Sequence, residues 1–309
     1  MDISTTPLVN IQCTAYNHEK YIRDALEGFV MQKTNFKFEA IVHDDASTDN
    51  TAAIIQEYAE KYPDIIKPIF ETENQYSKKD GSLGRIMKAA IHPNAKYIAI
   101  CEGDDYWTDP YKLQKQVDFM EDHPDFSMCF HKVNIESNLD DYKHIYDHVI
   151  EKEYTSDEIL NKWTIPTCSS LLKKEVFYNT PKDSRFLVGD IILFLTASKY
   201  GRIYCLPDTM GVYRSQASGV TQAYMNKIKG DDIIKYVLQF QAIKENFPKA
   251  QKASDKLICS HMLDLIRYKW GKNKIECIKY TLLFLYQEKM PFLIILLKWF
   301  KHLLHHNIH

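Results

Sequence analysis

Short apolar runs alternate with amphipathic segments along the first hundred residues of the chain. Runs rich in β-branched residues and bounded by polar turns indicate strands, whereas apolar residues at a helical period indicate helices. On these criteria we predict strands at 8–14, 38–43, 65–70 and 97–101. Helices fill the intervals, at 21–30, behind the polar turn at 44–51, and at 85–91. Strands that alternate with helices in this way form a parallel sheet covered on both faces.

The second half of the chain has a less regular pattern. We predict helices at 113–120 and from Gly189-Asp190, and strands at 126–133, 167–172, 202–206 and 210–214. The polar and aromatic stretch 136–154 is typical of a mobile segment or a peripheral hairpin. Thr155 and Glu158 have the spacing of a capping box for a short helix. From about residue 226 the pattern is wholly helical.

Polar clusters directly follow several of the predicted strands. Thr14–Asn17 follows the first strand, Asp44–Thr51 the second, and Glu102–Asp105 the fourth. Ligands of open α/β sheets bind outside the carboxyl ends of the strands. We therefore predict that these clusters converge on one rim of the sheet and form a site there.

The cluster after the fourth strand has its carboxylates crowded around a glycine, in the order Glu102, Gly103, Asp104, Asp105. Such carboxylates repel one another, so their clustering is explained by a cation or ligand that offsets the repulsion. Oxygen ligands of this kind suit Mg²⁺ or Mn²⁺. The alternative is an acidic turn in which Asp105 or Asp109 caps the next helix.

Composition narrows the functional classes. The 309 residues are 45% hydrophobic and 26% charged, with a formal net charge of −2, which allows one large α/β domain and a smaller appendage. The lack of basic excess argues against a general nucleic-acid binder. The seven cysteines show no CxxC spacing and are expected to be reduced core residues. With no basic apolar leader and no run of ~18 apolar residues, we expect a cytoplasmic protein.

Together these motifs resemble those of family 2 glycosyltransferases of the GT-A fold, bacterial enzymes that build surface polysaccharides from nucleotide sugars. The resemblance covers about residues 8–220 and rests on Thr14–Glu19, Asp44–Asp49, Glu102–Asp105, and Gly189-Asp190 through Tyr213-Arg214. It implies an α/β fold with a Rossmann-like, mostly parallel sheet flanked by helices. We accordingly predict a GT-A domain at 1–225 and a helical C-terminal region at 226–309.

The resemblance also implies a nucleotide-binding role for the first two clusters. In the family the turn after the first strand and the aspartate after the second hold the base and ribose, which here are Thr14, Ala15, Tyr16, Asn17 and Asp45. Carboxylate oxygens can accept hydrogen bonds from a base N–H or from sugar hydroxyls. The alternative is that Asp44 and Asp45 only cap a helix in a solvated turn. 

Asp104 and Asp105 match the family's metal-binding motif. By this resemblance Asp105 is the first choice of Mn²⁺ or Mg²⁺ ligand, and Asp104 contacts either the ribose or the metal. Glu102 stands where the family usually has aspartate, so its role is open. Arg85, like Lys78 and Lys79, is either a contact of the donor diphosphate or a solvated surface residue. 

Asp190 matches the family's general base, although Gly189 replaces the first acid of the usual pair. The alternative role is favourable placement of Asp190 at a helix N-terminus. Arg214 matches a residue that contacts phosphate or orders the active-site loop. The glutamine-arginine-tryptophan signature of processive enzymes is absent, so the resemblance implies inverting transfer of one sugar, most simply from a UDP-sugar.

The partners follow from the same resemblance and from the tail. We expect a glycan acceptor, lipid-linked in the simplest case, and no nucleic acid. Residues 291–304 are apolar with Trp299 and lysines, as in a helix that lies on a membrane surface or docks on a domain or a second copy in a homo-oligomer. The alternative functions are a sugar-nucleotide nucleotidyltransferase, for which the required glycine-rich loop is missing, and a non-catalytic sugar-nucleotide-binding subunit.

Overall fold

The computed structural model describes residues 6–138, 143–162, 164–215 and 232–270. By their contacts the residues divide into two compact units, one within 1–181 and 188–222 and the other within 182–187 and 223–309. The predicted membrane or oligomer segment at 291–304 lies outside the described residues. Within the described ranges, no helix is long and apolar enough to cross a membrane.

The first part of the larger unit alternates strands and helices as predicted. Its elements are β1 (Val9–Ala15), α1 (Ile22–Val30), β2 (Phe38–Asp44), α2 (Thr51–Lys61), β3 (Ile66–Phe70), α3 (Ser82–Ala89) and β4 (Tyr97–Ile100). In α1 the apolar positions Ile22, Leu26 and Phe29 are fully buried, because their spacing places them on one helix face against the sheet.

The rest of this unit adds shorter strands and further helices. They are β5 (Tyr106–Trp107), α4 (Lys112–Asp122), β6 (Phe126–Ser137), β7 (Lys152–Glu153), α5 (Ser156–Lys162), β8 (Leu171–Lys173), α6 (Lys174–Tyr178), α7 (Gly189–Tyr200) and β9 (Arg202–Ser215). Helix α5 begins with the predicted capping box, in which the Thr155 N–H donates to Glu158 Oε2 and the Glu158 N–H to Thr155 Oγ1.

The strands form one sheet in the order β3-β2-β1-β4-β8-β6-β9-β5, with β7 also pairing with β9. The pairs β3-β2, β2-β1 and β1-β4 are parallel, and so is β6-β9. Strand β8 is antiparallel to both β4 and β6, and β9 is antiparallel to β5 and β7. The α/β prediction is confirmed, and the parallel pattern holds strictly for the first four strands.

Three local predictions of the second half were wrong. The segment 167–172 is not one strand, because Thr167–Ser169 forms a 3₁₀ turn before β8. The Ser169 hydroxyl donates to the Pro166 carbonyl, and the Ser170 hydroxyl to the Thr167 carbonyl. Such local side-chain bonds offer the backbone an alternative to a strand ladder.

The segment expected to be mobile or peripheral contributes to the core instead. Strand β6 extends to Ser137, and Tyr146, Val149 and Tyr154 are each at most 6% exposed. The strands expected at 202–206 and 210–214 are one strand, β9, whose register against β6 shifts around Lys132. A bulge of this kind bends the strand without ending it.

The smaller unit is helical in its described part, with α8 (Ile233–Asn246) and α9 (Gln251–Trp270). Residues 182–187 also belong to it, and their contacts include a hydrogen bond and an ion pair. The Leu187 N–H donates to the Gln239 side chain at 2.7 Å, and Arg185 pairs with Glu245 at 2.7 Å.

Candidate functional site

The polar clusters after β1, β2 and β4 meet at one rim of the sheet, as the sequence predicted. The Gly103 N–H donates to the Thr14 carbonyl at 2.9 Å, and the Asp45 N–H donates to the Ala15 carbonyl at 2.9 Å. The turn after β1 is therefore bonded to both neighbouring turns. Thr14 and Ala15 contribute through their backbone, which fixes the spacing of the rim.

Gly103 lies where the acidic turn approaches the turn after β1 most closely. A Cβ at this position would lie 2.9 Å from Ile22 Cδ1, 3.0 Å from Ala15 Cβ and 3.0 Å from His18 Nδ1. Such distances are shorter than van der Waals contact, so a larger residue would push the turns apart. The glycine thus sets how near the carboxylates come to the rim.

Asn17 ties the first cluster to the second. Its backbone is in the left-handed region (φ 56°), its N–H donates to Ser47 Oγ at 2.9 Å, and its side-chain oxygen accepts the Thr48 N–H at 2.8 Å. The Asn17 side chain therefore holds the turn between β2 and α2. Tyr16 beside it is 46% exposed, so its ring is accessible at the rim.

Asp45 is buried and its carboxylate is already engaged. Oδ1 accepts the Gln75 N–H at 2.6 Å and Oδ2 accepts the Tyr76 N–H at 3.0 Å. Each carboxylate oxygen carries a second lone pair, so both can still accept a ligand hydrogen bond. Asp45 thus orders the loop after β3 and remains chemically able to bind a nucleotide.

The acidic turn after β4 holds its carboxylates in different environments. Glu102 and Asp104 are half-buried, whereas Asp105 is only 2% exposed. Burial, and then the charge of Asp104, raise the pKa of Glu102 to about 8. Burial and the charges of Asp104 and Glu102 also raise the pKa of Asp105 well above its ordinary value. The backbone N–H of Arg214 opposes this rise by donating to Asp105 Oδ1 at 2.7 Å.

Asp190 lies in the first turn of α7. Its Oδ1 accepts the Ile191 N–H at 2.8 Å, and Thr167 Oγ1 lies 3.5 Å from its Oδ2. Burial raises the pKa of Asp190, and the charge of Asp190 contributes to the raised pKa of Glu102. The fold therefore brings Asp190 close enough to the acidic turn for their charges to interact, although at least 85 positions separate them along the chain.

Tyr146 also belongs to this region, and sequence patterns did not single it out. Its ring packs edge-to-face on Tyr213 at 5.3 Å between centroids. Burial raises its pKa first, and the charges of Tyr213, Asp190 and Asp105 add to the effect. The residue lies in a segment without strand or helix periodicity, so no local signal would have found it.

Two basic residues predicted near the donor phosphates occupy different positions. Arg85 donates to the carbonyl of Asp80 at 2.8 Å and lies 3.4 Å from its carboxylate, so its guanidinium is used within its own loop. Arg214, in contrast, donates from its guanidinium group to the carbonyl of Asp104, so its side chain packs directly against the acidic turn.

The chemistry of the acidic turn fits a divalent cation. Burial and mutual repulsion disfavour the charged forms of its carboxylates, and a cation would offset both effects. No cluster of three His, Cys, Asp or Glu side chains arranged to hold a metal occurs in the described part of the chain. Mg²⁺ is usually bound through one or two carboxylates together with substrate phosphates, so the protein need not supply all of the metal ligands. 

Comparisons with known proteins give relatives in sequence and in structure. The chain is 37% identical to an uncharacterized protein of Mycobacterium tuberculosis over 72% of this chain and 63% of that protein, so it spans about three fifths of its relative's length.

Solved structures share the fold. TarS 1-349 of S. aureus in complex with UDP-GlcNAc matches with a TM-score of 0.60 at 18% identity, over 87% of this chain and 76% of that fragment. The mannosyltransferase PcManGT of Pyrobaculum calidifontis, in complex with GDP-Man and Mn²⁺, matches with a TM-score of 0.57 at 18% identity, over 94% of this chain and 82% of that one. At this level of identity the likeness establishes the GT-A fold alone.

The family itself follows from the sequence match. The model of "Glycosyl transferase family 2" matches residues 12–180, which contain the polar rim and the acidic turn. Since this match covers more than half of the 309 residues, the chain belongs to glycosyl transferase family 2.

Proposed function

We propose that this chain is an inverting glycosyltransferase that moves one sugar from a nucleotide-sugar, a UDP-sugar in the first instance, to a hydroxyl group of a glycan acceptor. The observation that carries the proposal is the proximity of Asp190 to the acidic turn, where the charges of Asp104 and Asp190 both help to raise the pKa of Glu102. A transfer reaction needs a base and a site for a diphosphate next to each other, and this rim offers both.

The donor nucleotide would bind on the first two clusters of the rim. Asp45 has oxygen lone pairs left for a base N–H or a ribose hydroxyl, and the exposed ring of Tyr16 offers a surface on which a base can stack. Thr14, Ala15 and Asn17 would act mainly by shaping this surface, since their polar groups are bonded within it.

Asp104 and Asp105 would hold Mn²⁺ or Mg²⁺ together with the donor diphosphate. When bound, such a cation stabilises the negative charge that develops on the leaving nucleotide. The fully buried Asp105 is fixed by the Arg214 N–H, whereas the half-buried Asp104 is more accessible from the rim. Glu102, with a pKa of about 8, would be protonated at neutral pH until a cation binds nearby.

Asp190 would act as the general base. The carboxylate accepts the proton of the acceptor hydroxyl while that oxygen attacks the anomeric carbon and the bond from this carbon to the diphosphate oxygen breaks. Attack from the side opposite the leaving group inverts the anomeric configuration. Burial raises the pKa of Asp190, which brings its basicity closer to what proton transfer near neutral pH requires.

The acceptor and the location of the protein are part of the proposal. A lipid-linked glycan fits a family that builds surface polysaccharides, and 291–304 would then bring the enzyme to the inner face of the membrane or join two copies. A cytoplasmic site of action fits the use of nucleotide sugars. The 63% coverage of the mycobacterial relative leaves room in such relatives for further segments with their own roles.

The experiment is calorimetric titration of the chain with UDP, with and without Mn²⁺, followed by turnover of UDP-sugars. We expect Mn²⁺-dependent binding that Asp105→Ala weakens at least about tenfold, or ~1.4 kcal/mol. Asp190→Asn should bind UDP like the wild type but lose at least about a hundredfold in turnover, because only proton transfer is affected. 

GDP is the second probe, because a structural neighbour was solved with GDP-Man. Binding of GDP and not UDP would change the donor class and keep the mechanism. If neither nucleotide binds in the presence of Mn²⁺, further nucleotides are tested, and failure of all of them would refute a transferase role. Full turnover by Asp190→Asn would refute the assignment of the base, and nucleotide binding without any turnover would indicate a binding subunit.

A further inference from the structure

The guanidinium group of Arg214 uses each of its nitrogens. Nε donates to Glu136 Oε2 at 2.8 Å, Nη2 donates to Asp24 Oδ2 at 2.7 Å, and Nη1 donates to the Asp104 carbonyl at 3.2 Å. One side chain thus joins helix α1, the end of β6 and the acidic turn. We call Arg214, Asp24 and Glu136 the arginine clamp.

Aromatic rings hold the same guanidinium from its faces. Its central carbon lies 4.3 Å from the ring centroid of Tyr106 and 5.3 Å from that of Tyr21. The Tyr106 hydroxyl in turn donates to Glu136 Oε1 at 2.8 Å. The Arg214 side chain is only 11% exposed, whereas both of its carboxylate partners are about half exposed. The clamp is therefore fixed in orientation as well as in position.

The clamp acts on both aspartates of the acidic turn. The side chain of Arg214 is bonded to the backbone of Asp104, and its backbone N–H is bonded to the carboxylate of Asp105. A shift of Arg214 would consequently displace the Asp105 oxygen and the Asp104 peptide together. Because Asp24 and Glu136 already balance the charge of Arg214, this arginine is poorly suited to act as a free phosphate ligand.

We propose that Asp24 and Glu136 are positioning residues of the transfer reaction, which hold Arg214 and thereby fix Asp104 and Asp105 in the geometry that receives the cation and the diphosphate. This inference rests on the proposed function, because the positioned groups are those assigned there to the donor. Groups that orient metal-binding carboxylates commonly affect metal affinity or activity by about 10–100-fold.

The test compares variants that break the clamp from opposite sides. Asp24→Asn with Glu136→Gln removes two negative charges, and Arg214→Met removes one positive charge. The matched control is Asp125→Asn with Glu153→Gln, because these carboxylates bind Arg202 at 2.7 and 2.6 Å in a similar paired arrangement at the other end of β9. Mn²⁺ binding in the presence of UDP is measured by electron paramagnetic resonance, and kcat and KM are measured with the active donor.

We expect both clamp variants to weaken Mn²⁺ binding about tenfold, and the control to bind like the wild type. A pure charge effect predicts the opposite for Arg214→Met, since a more negative site attracts the cation more strongly. We also expect kcat to fall and the KM for the donor to rise in both variants. All variants are compared by thermal unfolding, so that a loss shared with the control is recognised as a general loss of stability.

Several outcomes would overturn the inference. Wild-type Mn²⁺ affinity in the Asp24→Asn, Glu136→Gln variant would do so, as would tighter binding by Arg214→Met. A lower donor KM in the first variant would show instead that the released Arg214 binds the diphosphate. If the wild type binds neither Mn²⁺ nor any nucleotide tested, the proposed function fails and the inference with it. If the wild type binds both and the clamp variants match it, only the inference fails.

Discussion

Lys112 lies in the core with its ammonium group unpaired. The side chain is 0% exposed, and Nζ finds no hydrogen-bond partner among the residues with described positions. It lies 3.7 Å from the centroid of the Trp107 ring. Burial lowers the pKa of Lys112 to about 7, and the nearby thiols of Cys101, Cys129 and Cys168 oppose this only in part. Such a group is expected to cost stability near neutral pH.

The size of the cost follows from the pKa values of the two states. The ordinary value is 10.5 and the folded value about 7, so between these values the unfolded chain binds more protons and stability rises with pH. At 1.36 kcal/mol per pKa unit, Lys112 costs on the order of 4 kcal/mol at pH 7. The same relation makes the cost roughly 1.5 kcal/mol smaller at pH 8.5.

We therefore predict that Lys112→Met stabilises the protein. Methionine keeps an unbranched, flexible side chain against Trp107 and has no charge to desolvate. Loss of the cation–π contact offsets up to about 2 kcal/mol. The expected gain is about 2 kcal/mol or more in the free energy of unfolding at pH 7, and it should shrink by roughly 1.5 kcal/mol at pH 8.5.

The assay is urea unfolding followed by far-UV circular dichroism at pH 7 and pH 8.5. Burial raises the pKa of Cys101 well above its ordinary value and that of Cys129 to about 12, even though the charge of Lys112 lowers both. These thiols therefore stay neutral in the folded state at pH 7 and pH 8.5, with or without Lys112, and cancel in the difference. His131, whose pKa is lowered to about 3, stays neutral throughout. Lys115→Met is the control, because Lys115 lies on the same helix as Lys112 but is partly exposed and is paired with Asp109 and Asp208.

The control should change stability by at most about 1 kcal/mol, as surface ion pairs do. Two results would refute the reasoning on Lys112. One is a Lys112→Met variant that is less stable than the wild type at pH 7. The other is a stability difference that does not depend on pH between 7 and 8.5.

Further predictions concern the rim and the capping box. In urea unfolding, Gly103→Ala should lower stability by about 1–3 kcal/mol, because the added Cβ would be overpacked. The control Gly84→Ala should stabilise by about 0.5–1 kcal/mol, because nothing lies within 4 Å of the added Cβ. Equal effects of the two substitutions would contradict the close approach of the turns at Gly103. Asp45→Asn replaces one acceptor oxygen with a donor, so it should lower the free energy of unfolding by about 1–3 kcal/mol and speed proteolysis at 74–82. Unchanged cleavage would show that Asp45 does not order that loop. The pKa of Glu158 is lowered to about 2, so its contribution to the free energy of unfolding is present above pH 4.5 and is lost as pH falls through 2. Glu158→Gln should remove this acid dependence, which amounts to less than about 1 kcal/mol because the Glu158 side chain is partly exposed. An unchanged dependence of stability on acid pH in the variant would contradict this prediction.

Much of the fold and the location of the candidate site could be predicted from the sequence. The first four strands, their helices and the polar clusters at Thr14–Asn17, Asp44–Asp49 and Glu102–Asp105 are local patterns, and parallel topology brings the ends of such strands to one rim. The capping box of Thr155 and Glu158 was equally readable, because both partners lie within one helical turn. 

Predictions failed where local chemistry was ambiguous. The 3₁₀ turn before β8 contains small hydroxyl residues that also fit a strand, and only their bonds to nearby carbonyls decided the outcome. The stretch around Tyr146 looked polar and peripheral, yet Tyr146 is buried against Tyr213 and Tyr154 against Phe130. A sequence shows which residues can be buried, but a polar segment with scattered aromatic residues does not show what they pack against.

The sequence by itself thus determined the family, the order of the elements in the first hundred residues and the residue types of the candidate site. The tertiary structure decided which side chains act together. Asp45 orders a loop 30 residues away, Arg214 binds Asp105 across 109 residues, and its partner Asp24 is 190 residues distant. Lys112 likewise lies near Trp107, Cys129 and Cys168, which come from separate elements of the chain. Contacts at such separations are set by the packing of complete elements, so no local pattern encodes them.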